Sequence, residues 1–248
     1  MFRFLAATVL LLFTLAPSAQ AETIRLATLE WPPYISQRMQ GQGYVAEVVR
    51  TAFARAGIDV ELTFMPWKRT LEETRSGHFQ AYVPEYFSQD LRKDFVFSAP
   101  FPGGPLVLLA RRGSGIRYST VRDLAPYRIG VVRGYVNTPE IDNATFMNKY
   151  AVMDDLTSLR MLVRERLDLS IMDLNVALYL ARTHLGGTRD IEVLQPPLDN
   201  KLLYICFPLV RDDHLRLLTA FNAGLMDIEG DGTLEAIRNR HGFTQTSW

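Results

Sequence analysis

Hydrophobic positions along the chain change period repeatedly. Ile24 and Leu26 alternate with polar residues as a strand does, and Val45, Val48, Val49, Ala52, Phe53 and Ala56 then recur at helical spacing up to Gly57, a residue suited to end a helix. Val60, Leu62 and Phe64 alternate again. Strand, helix and strand in that order predict a βαβ unit and a parallel sheet. A short helix over 66–76, stopped by Gly77, and a strand over 79–83 extend the series. The run PLVLLARRGSG, from Pro105 to Gly115, passes from an apolar strand into a charged turn and predicts a boundary between two lobes.

A second series follows, with strands over 128–132, 167–172 and 191–194 and helices over 156–166 and 174–185. LLYICF, at 202–207, reads as a further buried strand. Asp212 reads as the cap of a helix that carries Leu215, Leu218, Phe221, Leu225 and Ile228 on one face. A last helix runs from Thr233 to His241, before Gly242. Two αβ lobes with helices left over at the end predict a chain that crosses out and back.

The N-terminal stretch MFRFLAATVLLLFTLAPSAQAET changes where the folded chain is expected to begin. Arg3 precedes an apolar run from Phe4 to Leu15, Pro17 breaks it, and Ala19-Gln20-Ala21 forms a small-x-small cleavage site, which together read as a secretory signal peptide over 1–21. The run falls short of the roughly 20 residues a spanning helix needs, so membrane insertion is not expected and the mature chain should be periplasmic. Lys plus Arg and Asp plus Glu number 27 each, which leaves no net field to attract nucleic acid or an anionic membrane. Cys206 is the single cysteine; without a partner for an internal disulfide, it reads as a small buried hydrophobe.

Most candidate chemistry can be set aside. GQGYVA, at 41–46, matches a dinucleotide fingerprint only loosely, because a long loop separates it from the preceding strand, so Gly41 and Gly43 read as flexibility before a helix. His78, His184, His214 and His241 lack the spacing of a metal site, and no G-x-S-x-G elbow is present. The pairs Asp154-Asp155 and Asp212-Asp213 fall at expected helix starts, where capping accounts for them. No cofactor and no metal is implied. One loop stands apart, because EWPPY, at 30–34, is stiffened by two prolines that fix the directions of Trp31 and Tyr34. Those rings either plug the core or form a preorganised wall of a ligand cleft.

The order of features resembles the bacterial extracellular solute-binding proteins of the polar amino acid type, the periplasmic component of ABC importers. EWPPY resembles the family's aromatic-Pro-Pro-aromatic loop, and GQGYVAEVVRTAFARAGIDVEL its first helix and second strand. SQDLRKDFVFSAPF, LAPYRIGVVRGY, DLSIMDLNVALYL and GDGTLEAIRNRHG resemble four later segments in the right order. The resemblance implies an α/β clamshell of the type 2 periplasmic-binding-protein fold, with two αβ lobes joined by two crossing strands and ligand bound between them. On this reading 22–110 and 206–248 form lobe 1, and 111–205 form lobe 2. A monomer is expected, working with a small-molecule ligand and an ABC permease.

The same resemblance assigns roles to single residues. Arg92 falls on the arginine that grips a ligand α-carboxylate, against the alternative of an exposed turn charge, and Asp173 falls on the acid that receives an α-ammonium, against a helix cap. Trp31 and Tyr34 would flank the ligand, Glu85 and Tyr86 add polar and aromatic bulk at a strand end, and Trp67 would either join the ligand wall or, the favoured account, serve as a hydrophobic staple or core residue. Tyr135 stands where the family has a small hydroxyl residue after Gly134, which leaves backbone N–H groups there to bind an anion. Gln89 and Ala99 also depart from the family pattern around Arg92. The expected function is a non-enzymatic receptor for an amino acid or related carboxylate. The alternatives are a dehydratase of the same fold and a ligand-sensing envelope protein.

Overall fold

The structure is a computed structural model that describes residues 22–243, so the signal peptide expected over 1–21 lies outside the described residues. The first lobe is built from β1 (Glu22–Thr28), α1 (Tyr44–Ala54), β2 (Ile58–Phe64), α2 (Trp67–Arg75), β3 (Ala81–Glu85) and β4 (Phe95–Phe97). β1 lies between β2 and β3 and runs parallel to both, as the alternating patterns on either side of α1 predict. Val45, Val48, Val49, Ala52 and Phe53 are all buried on the inner face of α1.

The second lobe contains β6 (Arg128–Val132), α3 (Pro139–Asp142), β7 (Asn148–Val152), α4 (Asp155–Val163), β8 (Leu169–Asp173), α5 (Leu174–His184) and β9 (Ile191–Val193). Two long strands, β5 (Phe101–Arg111) and β10 (Asp199–Pro208), pass between the lobes. β10 pairs with β5 through its first half and with β3 and β4 through its second, while the far half of β5 pairs with β8 and β9. The strand path is therefore β2-β1-β3-β10-β5-β8-β6-β7, with β4 and β9 alongside. α6 (His214–Gly230) and α7 (Thr233–Arg240) return to pack on α1.

Four details differ from the pattern expected of the sequence. β5 begins at Phe101, four residues before Pro105, through a segment of glycine and proline that has no strand propensity of its own. β4, β7 and α3 have three to five residues each, too short to show a period. α6 buries Leu217, Phe221, Gly224, Leu225 and Ile228 and leaves Leu215 exposed, because the helix seats on α1 through Gly224, where a Cβ would fall 1.9 Å from the Ala52 carbonyl oxygen. Asp212 does not cap that helix; the neighbouring Asp213 is held instead by two bonds from Arg211, at 2.8 and 2.7 Å. Cys206 is buried, as expected of a small hydrophobe.

Candidate functional site

The EWPPY loop leaves β1 and closes on itself, with the Trp31 N–H donating to the Ile35 carbonyl at 2.8 Å and the Tyr34 N–H to the Trp31 carbonyl at 3.0 Å. The rings of Trp31 and Tyr34 stack at 4.6 Å, and Phe243 covers the other face of Tyr34 at 4.9 Å. Tyr34 is fully buried, so it is core by location. Its hydroxyl nevertheless reaches into the second lobe, donating to Asp173 Oδ2 at 3.0 Å and accepting from Asn175 Nδ2 at 2.8 Å.

Asp173 ends β8 and caps α5, with Oδ1 accepting the N–H groups of Asn175 and Val176 at 2.8 and 3.2 Å. Its Oδ2 accepts from Tyr34 and, at 3.3 Å, from the Tyr86 hydroxyl. Both oxygens are thus used by the protein itself. Burial pushes this carboxyl up to about 7, against the pull of those four donors. The crowding has a sequence basis, since a Cβ on Gly104 of β5 would stand 2.3 Å from the Tyr34 hydroxyl and 2.5 Å from Asn175 Nδ2.

Two more carboxyls are buried nearby. Glu85, at the end of β3, accepts from the Tyr82 hydroxyl at 3.1 Å and the Tyr86 N–H at 2.8 Å, and burial pushes it up to about 8. Asp155, the first residue of α4, accepts from the Tyr135 hydroxyl at 3.1 Å, and burial pushes it up to about 7. The Trp31 indole N–H is aimed at Asp155 and helps to hold that carboxyl down, yet no acceptor completes a hydrogen bond to it. Burial, reinforced by these acids, raises the phenols of Tyr34, Tyr86 and Tyr135 well above their ordinary value, so they stay protonated and act as donors.

Rings from both lobes and the Glu85 carboxyl converge on a cavity of about 30 Å³, lined among others by Trp31, Trp67, Glu85, Tyr86 and Tyr135. Trp67 is buried in the core and is also a wall of this cavity, and its Nε1 donates across to the Gly134 carbonyl at 3.0 Å. Gly134 thereby meets lobe 1 through its oxygen. Where a backbone anion site is expected at Gly134 and Tyr135, the Tyr135 N–H donates to the Val132 carbonyl at 3.1 Å and the following α3 is four residues long.

Arg92 does not join the other predicted residues. It lies exposed on a short 3-10 turn over 91–93, outside the cavity lining, and no hydrogen bond or ion pair involves its side chain among the described residues. The polar run SQDLRKD keeps that turn at the surface, which is the outcome the turn-charge alternative describes. Sequence reasoning missed Asp155, which looked like half of a capping pair; Asp154 is the cap, accepting from the Thr157 N–H at 2.7 Å, and Asp155 turns inward. It also missed Lys201, a buried lysine on β10 held 2.8 Å from Asp199. The alternation of β10 could have pointed to it, since Lys201, Leu203 and Ile205 share a parity and are all buried.

The model of the bacterial extracellular solute-binding proteins, family 3, matches residues 24–245. The chain belongs to that family. Comparison with curated protein sequences gives no match. Among solved structures this family 3 protein is similar to a histidine kinase sensor domain described as similar to periplasmic binding proteins, at 19% identity over 88% of this chain and 95% of that one, with a TM-score of 0.77. It is also similar to an ancestral arginine-binding protein bound to arginine, at 18% identity over 88% and 97%, with a TM-score of 0.75. The GluR0 ligand-binding core from Nostoc punctiforme, in complex with L-glutamate, is 17% identical over 88% and 98%, with a TM-score of 0.74. At these identities the likeness is one of fold. No helix among the described residues is long and apolar enough to cross a membrane.

Proposed function

We propose that this family 3 protein is an exported receptor of the periplasm, which takes a small polar solute into the cleft between its lobes and delivers it to an ABC importer. The observation that carries the reading is the convergence of Trp31, Trp67, Glu85, Tyr86 and Tyr135 on one cavity between β3 and the loop after β6. Lobe 1 would comprise 22–110 and 206–248, and lobe 2 would comprise 111–205. Tyr34 and Tyr86 reach Asp173, Asn175 reaches Tyr34, and Trp67 reaches Gly134, so four side-chain hydrogen bonds would tie the lobes together in the closed form. A cavity of about 30 Å³ holds roughly two water molecules, far below the ~300 Å³ of a usual ligand pocket, so a solute enters only when the lobes part. The receptor would act as a monomer and without catalysis, because closure around a bound solute needs only complementary contacts.

Family membership and the amino-acid-binding neighbours support the receptor reading. The test is a thermal-shift screen of the purified protein against amino acids, amines, small carboxylates and sugars. A solute at ~100 times its Kd should add about 2.7 kcal/mol of stability. No shift with any class would count against a receptor. A sensory role is the second reading, favoured by the fold shared with a histidine kinase sensor domain. Transport and sensing would be separated by whether cells lacking the protein lose uptake of the solute or only their response to it.

A further inference from the structure

We propose that the cleft selects a small organic cation that carries a neutral oxygen acceptor and no carboxylate: Glu85 and the aromatic walls receive the cation, and the Trp31 indole N–H donates to the oxygen. This rests on the receptor reading above and narrows its ligand.

The charge of the lining is the first support. Glu85 is the single charged residue on the cavity wall, and Asp155 and Asp173 lie one ring behind it, bonded to Tyr135 and Tyr86. No arginine or lysine lines the cavity among the described residues. Lys201, the nearest buried cation, is held by Asp199 and is not part of the wall. A ligand carboxylate brought here would lose its water beside acids that it would drive further toward their protonated forms, with one neutral N–H to meet it, a costly burial. A cation meets the opposite arrangement. The acids do not form a metal site, since no group of three or more His, Cys, Asp or Glu among the described residues could hold an ion.

The rings are the second support. Trp31 and Tyr86 meet edge to face at 5.9 Å, and Trp67 and Tyr135 do so at 5.9 Å, giving two T-shaped pairs around the cavity. An ammonium or guanidinium over such ring faces gains cation–π attraction that grows as water is excluded. Tyr86 already takes a cation on one face, with Lys201 Nζ 5.4 Å from its ring centre.

The third support is the Trp31 indole N–H, which faces Asp155 without completing a hydrogen bond to it. Trp31 is 6% exposed and lines the cavity, and its Nε1 has no partner. A buried donor left unbonded costs free energy and is rare. An oxygen delivered by the ligand satisfies it, which is why an amine with a carbonyl or hydroxyl fits better than a bare alkylamine.

Two matched pairs test this by titration calorimetry on the purified protein at about pH 6.5, where the α-amine of an amide, with a pKa of about 8, is protonated, with L-alaninamide set against L-alanine and L-argininamide against L-arginine. Each pair differs in a carboxamide for a carboxylate. The amide should bind about ten-fold or more tightly in the pair whose length fits, and Glu85→Gln should narrow that ratio. Trp31→Phe keeps a ring and loses the N–H, so it should weaken the amide by about five-fold, in line with one neutral hydrogen bond. Equal or tighter binding of the acids overturns the proposal. If neither pair binds, a thermal shift with L-glutamate, L-glutamine or a sugar overturns it while leaving the receptor reading intact. Absence of any shift across the whole panel overturns both.

Discussion

At the scale of the residue, Asp173 takes up the cap reading of the sequence with one oxygen and, behind the cavity wall, turns the other to tyrosines. DLSIMDLN admits either a cap or a ligand-facing acid, and the folded carboxylate divides the work by atom, Oδ1 capping α5 and Oδ2 facing the tyrosines. Tyr34→Phe would leave Oδ2 with one donor fewer and Asn175 Nδ2 without its acceptor. The expected cost is about 1 to 3 kcal/mol of stability in urea denaturation. A change below ~0.3 kcal/mol would mean that the pair contributes nothing net. Arg92 makes the opposite case. Exposed and without a recorded partner among the described residues, it should tolerate Arg92→Ala within ~0.5 kcal/mol of stability and with unchanged affinity for any solute the screen finds. A ten-fold loss of affinity would restore it as a ligand contact.

At the scale of the element, periodicity reported what it could. The β1-α1-β2 unit and the α5 and α7 segments were legible because each buries a regular stripe, and a regular stripe is what hydrophobic spacing encodes. β5 and α6 were only half legible, since both depend on glycine, whose contribution is the side chain it lacks. Gly104 makes room for the Tyr34, Asn175 and Asp173 cluster, and Gly224 lets α6 lie against α1. Trp31 on the cavity wall was legible from the family pattern, whereas the buried Asp155 and Lys201 were not, because burial of a charged residue is decided by elements far away in sequence. Gly224→Ala puts a methyl against backbone at Ala52, which cannot turn aside as a side chain would. Overpacking of that kind should cost about 1 to 3 kcal/mol, read as a lowered midpoint in urea. Wild-type stability would show that α1 and α6 separate freely.

At the scale of the whole molecule, the three buried carboxyls tie stability to pH. Their ordinary values are 4.5 for Glu85 and 3.8 for Asp155 and Asp173, and burial lifts them to about 8, 7 and 7 in the fold. Between those limits the folded chain binds more protons than the unfolded one, so unfolding becomes easier as pH rises. The stabilising contribution is whole below pH ~4 and is lost by pH ~8, a window set by those shifts and worth several kcal/mol on the order of one to a few per group. Carboxylates held down by partners, such as Asp168 beside Arg128 and Asp213 beside Arg211, act the other way and lose their contribution as pH falls through their depressed values. Stability should therefore peak at about pH 5 and decline toward pH 8.5, with the urea midpoint as the measurement. Glu85→Gln, which cannot ionise, should flatten the upper part of that decline. A bound cation should flatten it as well, because it favours the ionised carboxyls that the unliganded fold resists. A midpoint that rises between pH 5 and 8.5 would mean that these acids are ionised and solvated in the fold, and that the cleft stands open in solution.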